Sequence, residues 1–116
     1  MPSKDKLEEK TEDLRVNLAN IRTKDGIIGY ILRDPKSASV DIKDSSKIID
    51  YAMLSSTVLD SGKRMISVFE LGKANHIVLE GKNVKVLSLT IGDHNISVFM
   101  KKEVDHNRIY KDLRSK

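Results

Sequence analysis

Across residues 3–22 the apolar positions Leu7, Leu14, Leu18 and Ile21 recur at intervals of seven, four and three, with lysines and glutamates between them. That spacing predicts an amphipathic helix, and the following "TKDG" supplies a glycine break at its end. "IIGYILR" (27–33) is nearly all apolar, as a strand covered on both faces requires. "DPKS" (34–37) suits a turn with Pro second, and "ASVDI" reads as the shorter returning strand. Near the other end, "HIVLE" (76–80), "VKVLSLTI" (84–91) and "ISVFMK" (96–101) are separated by the polar turns "GKN" and "GDHN", which predicts a three-strand meander. The tail "EVDHNRIYKDLRSK" places Val104, Ile109 and Leu113 on one helical stripe and ends in basic residues, as helix C-termini favour.

The stretch between these halves decides the architecture. Ile48, Ala52, Ser55, Leu59, Gly62, Ile66 and Phe69 are spaced four, three, four, three, four, three, without a slip at Gly62. One long helix over 44–72 is therefore expected, capped by Asp44 or Ser45 and ended at Gly72. An internal glycine costs about 1 kcal/mol relative to alanine, which a long helix tolerates. Tyr51, Leu54, Val58, Met65 and Val68 form a second apolar stripe beside the first. At roughly 100° per residue the two cover about half the circumference, more than one sheet face needs. The surplus must meet either a third layer of the same chain or a partner chain, and the remaining helices are too few to supply the former.

Composition narrows the class. A chain of 116 residues with 39% hydrophobic and 33% charged positions can bury a core without staples, so a single domain spanning 1–116 is expected. The absence of cysteine removes disulfide and thiolate chemistry. No run approaches the ~20 apolar residues of a membrane span, and "MPSKDKLEEKTEDL" is too charged for a signal peptide. A cytoplasmic protein is the resulting expectation.

Candidate chemistry is sparse. "DSGKR" lacks the upstream glycine and the hydroxyl residue of a phosphate loop, and "DGIIGY" lacks the dinucleotide-binding arrangement. His76, His94 and His106 fall in separate predicted elements, with His94 and His106 taken as turn or cap residues. Nothing has the spacing of a metal site or a nucleophile motif, so no cofactor, no metal and no catalysis are expected. Lys101, Lys102, Arg108, Lys111, Arg114 and Lys116 make the C-terminal segment basic. With 3 Tyr and 2 Phe in the chain, only Tyr110 interleaves with those cations. Nucleic-acid binding is thus disfavoured, and a nucleic-acid or anionic-surface module remains the alternative reading.

The order helix, two strands, long helix, three strands, helix resembles the roadblock/LC7 domain, the dynein light chain-like family. "IIGYILRD", "SSKIIDYAMLSSTVLD" with its small residues, "ELGKANHIVLEG" and "VKVLSLTIGDHNISVFM" carry the likeness. It implies an α+β sandwich: a five-stranded antiparallel sheet, the long helix on one face and the terminal helices on the other. It also implies a homodimer joined through the third strand, His76, Ile77, Val78, Leu79 and Glu80, and through the long helix at Tyr51, Leu54, Val58, Met65 and Val68. Such dimers are non-enzymatic scaffolds or regulators of Ras-like small GTPases. Polar outer positions of the long helix, Lys47, Asp50, Thr57, Ser61 and Arg64, are the partner contacts expected on this reading. A small-molecule sensor has the same layered form, but no convergent polar cluster supports it here.

Overall fold

The computed structural model describes residues 4–55, 57, 60 and 76–114, with side chains from Glu12 onward. Helix α1 (Lys4–Arg22) is followed by strands β1 (Ile27–Arg33) and β2 (Ala38–Ile42). A single 3-10 turn, Ser45–Lys47, leads into helix α2, described over residues 48–55 and at Thr57 and Asp60. Strands β3 (Ile77–Glu80), β4 (Val84–Ile91) and β5 (His94–Lys101) and helix α3 (His106–Arg114) complete the chain. The predicted second half of the long helix, with Leu59, Gly62, Ile66, Phe69 and Gly72, lies outside the described residues.

The five strands form one antiparallel sheet in the order β2-β1-β5-β4-β3. Its two faces have separate cores. Leu14, Leu18 and Ile21 of α1 and Ile109 and Leu113 of α3 pack with Ile27, Leu32, Leu87, Leu89, Ile96, Val98 and Met100. On the opposite face Ile31, Ile42, Val86 and Phe99 lie beneath Ile48, Tyr51, Ala52 and Leu54 of α2. Each large apolar side chain so buried contributes about 2 kcal/mol relative to exposure. The sandwich that the resemblance implies is the one observed.

Several local devices shape this arrangement. Ile27 pairs with Met100 and Gly29 with Phe99, so Ile28 is the extra residue of a bulge. The bulge moves Ile27 onto the terminal-helix face and Ile28 onto the α2 face. Gly29 is needed there, because a Cβ would stand 2.2 Å from the Asp41 carbonyl oxygen. At the β1–β2 turn the Asp34 carboxylate accepts from the backbone N–H groups of Lys36 and Ser37, at 2.8 and 2.7 Å. Asp44 caps the 3-10 turn, as expected, by accepting from the Ser46 N–H at 3.1 Å and its hydroxyl at 2.6 Å.

Two strand starts differ from the sequence reading: β3 begins at Ile77, one residue after the expected His76, and β5 begins earlier than expected. His94 and Asn95 belong to β5, and the β4–β5 turn is only Gly92–Asp93. Gly92 adopts φ +58°, the left-handed conformation that such a tight turn uses. The longer polar "GDHN" concealed this, since ladder pairing needs backbone groups and not apolar side chains.

Candidate protein-interaction surface

Strand β3 has one neighbour, β4, with Ile77 opposite Ser88 and Glu80 opposite Lys85. Among the described residues no strand pairs with its outer edge, so a row of backbone donors and acceptors faces outward. Ile77 and Val78 are half-buried on opposite faces, while Leu79, 49% exposed, and Glu80 project to the surface. Just before the strand, the His76 ring lies 4.5 Å from that of Tyr110. Its Nδ1 is buried without a hydrogen-bond partner among the described residues.

Beside this edge α2 leans on the sheet. The Tyr51 ring meets Phe99 at 4.6 Å in a tilted contact. Tyr51 and Leu54 are both half-buried, and with Leu79, Val84 and Val86 they line a groove of about 470 Å³ that opens toward β3. The structure thus brings together Tyr51, Leu54 and Leu79 from the predicted interface set, on the α2 face of the β3 edge. Tyr51 and Leu54 also serve the sheet core, which the two-stripe reading had assigned to the other stripe. Val58, Met65 and Val68 lie outside the described residues.

Deeper in the same layer, the hydroxyls of Ser55, Ser97 and Ser88 form a buried chain. Ser55 Oγ lies 2.5 Å from Ser97 Oγ, and Ser88 Oγ lies 2.9 Å from it. Arg33 Nη2 donates to the Ala52 carbonyl oxygen at 2.9 Å. These contacts anchor α2 over β1, β5 and β4, and so fix which of its residues face outward.

Of the expected partner contacts, Lys47, Asp50 and Thr57 are exposed, and Ser61 and Arg64 lie outside the described residues. The outward side of α2 also carries Ile49, 74% exposed, and Met53, 67% exposed. These two apolar side chains sit one helical turn apart and were not among the expected contacts. Their signal was present: both fall between the two apolar stripes and the polar back, where a solvated helix would place polar residues.

The basic C-terminal positions described, Lys101, Lys102, Arg108, Lys111 and Arg114, are all exposed. Tyr110 is occupied, flanked by His76 on one side and by the Arg114 guanidinium 5.1 Å from its ring centre. His106 opens α3 and is half-buried, its Nδ1 3.1 Å from the Nζ of the buried Lys85. His106 is therefore a packing residue, not the free turn or cap residue the sequence suggested, and His76, expected in the third strand, packs on Tyr110 just before it. Among the described residues no group of three or more His, Asp or Glu converges as a metal site would require. An open cavity of about 600 Å³ lies between the α1–β1 and β5–α3 connections. Gly26, Val104 and Ile109 line it together with three cations and three carboxylates, including Lys101, Arg108, Glu103 and Asp105. No described helix is long and apolar enough to cross a membrane.

No protein-family model and no curated protein matches the chain. Solved structures do. A roadblock/LC7 domain from Streptomyces avermitilis superposes with a TM-score of 0.68 at 16% identity, over 84% of this chain and 86% of that one. MglC from Myxococcus xanthus superposes with a TM-score of 0.51 at 9% identity, over 88% of this chain and 91% of that one. At such identities the likeness speaks for the fold: the chain has the roadblock/LC7 fold.

Proposed function

We propose that this protein is a non-enzymatic homodimeric scaffold or regulatory module, a single domain over 1–116, that binds a Ras-like small GTPase in the cytoplasm. The observation that carries the dimer is the open β3 edge next to an apolar groove. Pairing two such edges about a twofold axis satisfies the outward backbone groups and covers Leu79 in one step. On this reading His76–Glu80, Tyr51 and Leu54 are the described part of that interface, and Val58, Met65 and Val68, which the sequence reading adds to it, lie outside the described residues.

For the GTPase, support comes from the fold and from the outward face of α2. Ile49 and Met53 provide an apolar pair within a polar surround of Lys47, Asp50 and Thr57, to which Ser61 and Arg64 belong on the sequence reading. Apolar anchors ringed by polar residues are the usual anatomy of a protein-binding patch.

Two measurements test the reading. Sedimentation equilibrium at about 100 μM separates dimer from monomer, and a monomer there removes the dimer. Pull-down with the Ras-like proteins of the same cell, in both nucleotide states, tests the partner. Binding in neither state removes the GTPase.

A further inference from the structure

We propose that the outer face of α3 is an electrostatic docking surface for an anionic lipid bilayer. Ile109 and Leu113 turn inward, and the outward positions of the helix are Asn107, Arg108, Lys111 and Arg114, all exposed. The spacing of the three cations, three residues apart, puts them on neighbouring rows of one face. Asp112, the only acid of α3, is held by the ammonium of Lys24 and does not offset them. On the adjoining helix α1, Arg15, Val16, Ala19 and Asn20 are exposed, and Val16, 55% exposed, is an apolar group of the kind that settles into a headgroup layer. The acids described on α1, Glu12 and Asp13, stand one turn earlier, away from the α1–α3 contact that Asn17 makes with the Leu113 carbonyl oxygen.

The form of the surface selects the partner class. Single-stranded nucleic acid is held by aromatic platforms between cations, and the one aromatic of α3, Tyr110, is already in contact with the His76 ring and the Arg114 guanidinium. What remains is an exposed row of positive charge, Lys111 and Arg114 with Arg108 at the rim of the cavity that Glu103 and Asp105 also line, and it complements an anionic plane. Each basic residue near such a surface raises partitioning roughly five-fold at physiological salt, so three give about a hundred-fold. This goes beyond the proposed function, whose dimer would double the count: edge-to-edge β3 pairing places both α1–α3 layers on the same side of a continuous sheet. The α2 face then points away from the bilayer, toward soluble partners.

The test is co-sedimentation of the full chain with vesicles of phosphatidylcholine alone and with about 30% phosphatidylserine, at about 50 and 200 mM salt. Binding is expected only with the anionic lipid, weakening with salt. Arg108→Gln/Lys111→Gln should lose at least ten-fold. Lys36→Gln/Lys82→Gln, which removes equal charge elsewhere, should retain binding. Equal binding to both vesicles, equal loss in both variants, or binding to a single-stranded oligonucleotide in place of vesicles overturns the proposal. A sedimentation run on the same sample separates the two readings. A dimer that ignores the vesicles defeats only the bilayer surface, and a monomer that binds them defeats only the dimer.

Discussion

Ser55 on α2 and Ser97 on β5 place their hydroxyl oxygens 2.5 Å apart in a fully buried contact, although 42 residues separate them in sequence. Ser97 also meets Ser88, its register partner on β4, at 2.9 Å. It is the centre of the chain, so Ser97→Ala strips two buried hydroxyls of a partner at once. Ser55 can redirect its hydrogen bond to a carbonyl one helical turn back, whereas Ser88 on its strand has no such recourse. Expected losses in urea denaturation are about 2 kcal/mol for Ser97→Ala and about 1 kcal/mol for Ser55→Ala. The triple alanine variant should lose less than the three single losses combined, because it leaves no hydroxyl unpaired.

Two glycines should respond to alanine very differently. At Gly29 a Cβ meets the Asp41 carbonyl oxygen at 2.2 Å and the Ile42 Cα at 2.7 Å, both backbone atoms that cannot turn aside. Gly29→Ala must therefore part β1 from β2, at about 3 kcal/mol or more. At Gly92 a Cβ meets nothing within 4 Å, and only the φ of +58° resists it. Gly92→Ala should cost about 1 kcal/mol. Denaturation midpoints give the ranking, and amide exchange in β2 should accelerate in the first variant alone.

Much of this was legible in the chain, for identifiable reasons. The bounds of β1 and β4 stand out because their apolar runs end at glycine, proline or polar clusters. Other features depend on contacts that no local window contains. The bulge at Ile28 exchanges the faces of two identical isoleucines, which the run "IIGY" cannot express. Lys85 looks like a solvent-facing strand residue, yet its face is the one α3 covers, and it reaches His106 instead. The candidate surface was partly legible. Periodicity found the positions that recur; Ile49 and Met53 interrupt the polar side of the helix in the sequence, and the docking of α2 shows that they face outward.

Acid should weaken the β1–β2 turn. Asp34 is held below its ordinary value of 3.8, first by the Lys36 N–H, then by the Ser37 hydroxyl and N–H. A carboxylate depressed in the folded state stabilises above its unfolded value, and that contribution is lost as pH falls through the folded value. Asp34→Asn keeps an acceptor oxygen but removes the titration. The stability difference between the parent chain and this variant should be constant from about pH 6 to about pH 5. It should then shrink below about pH 4. Urea midpoints across that range are the check, and a gap that stays constant into acid would contradict the assignment.

The two apolar features of the α2 layer should separate by function. Leu79 is exposed at the open β3 edge, and Ile49 and Met53 are exposed on the outward side of the helix. None of the three supports the monomer core, so polar substitution at any of them should change monomer stability by no more than about 0.5 kcal/mol. Leu79→Arg places a charge where two β3 edges would meet. Losing one large buried apolar group at an interface is worth about 2 kcal/mol, or roughly thirty-fold in the dimer dissociation constant. Ile49→Ser/Met53→Ser should leave sedimentation unchanged and weaken capture of a GTPase by at least about ten-fold, in keeping with apolar anchors at the centre of a patch. If Leu79→Arg sediments like the parent while Ile49→Ser/Met53→Ser becomes monomeric, the dimer is built on the outward face of α2 and the β3 edge faces solvent.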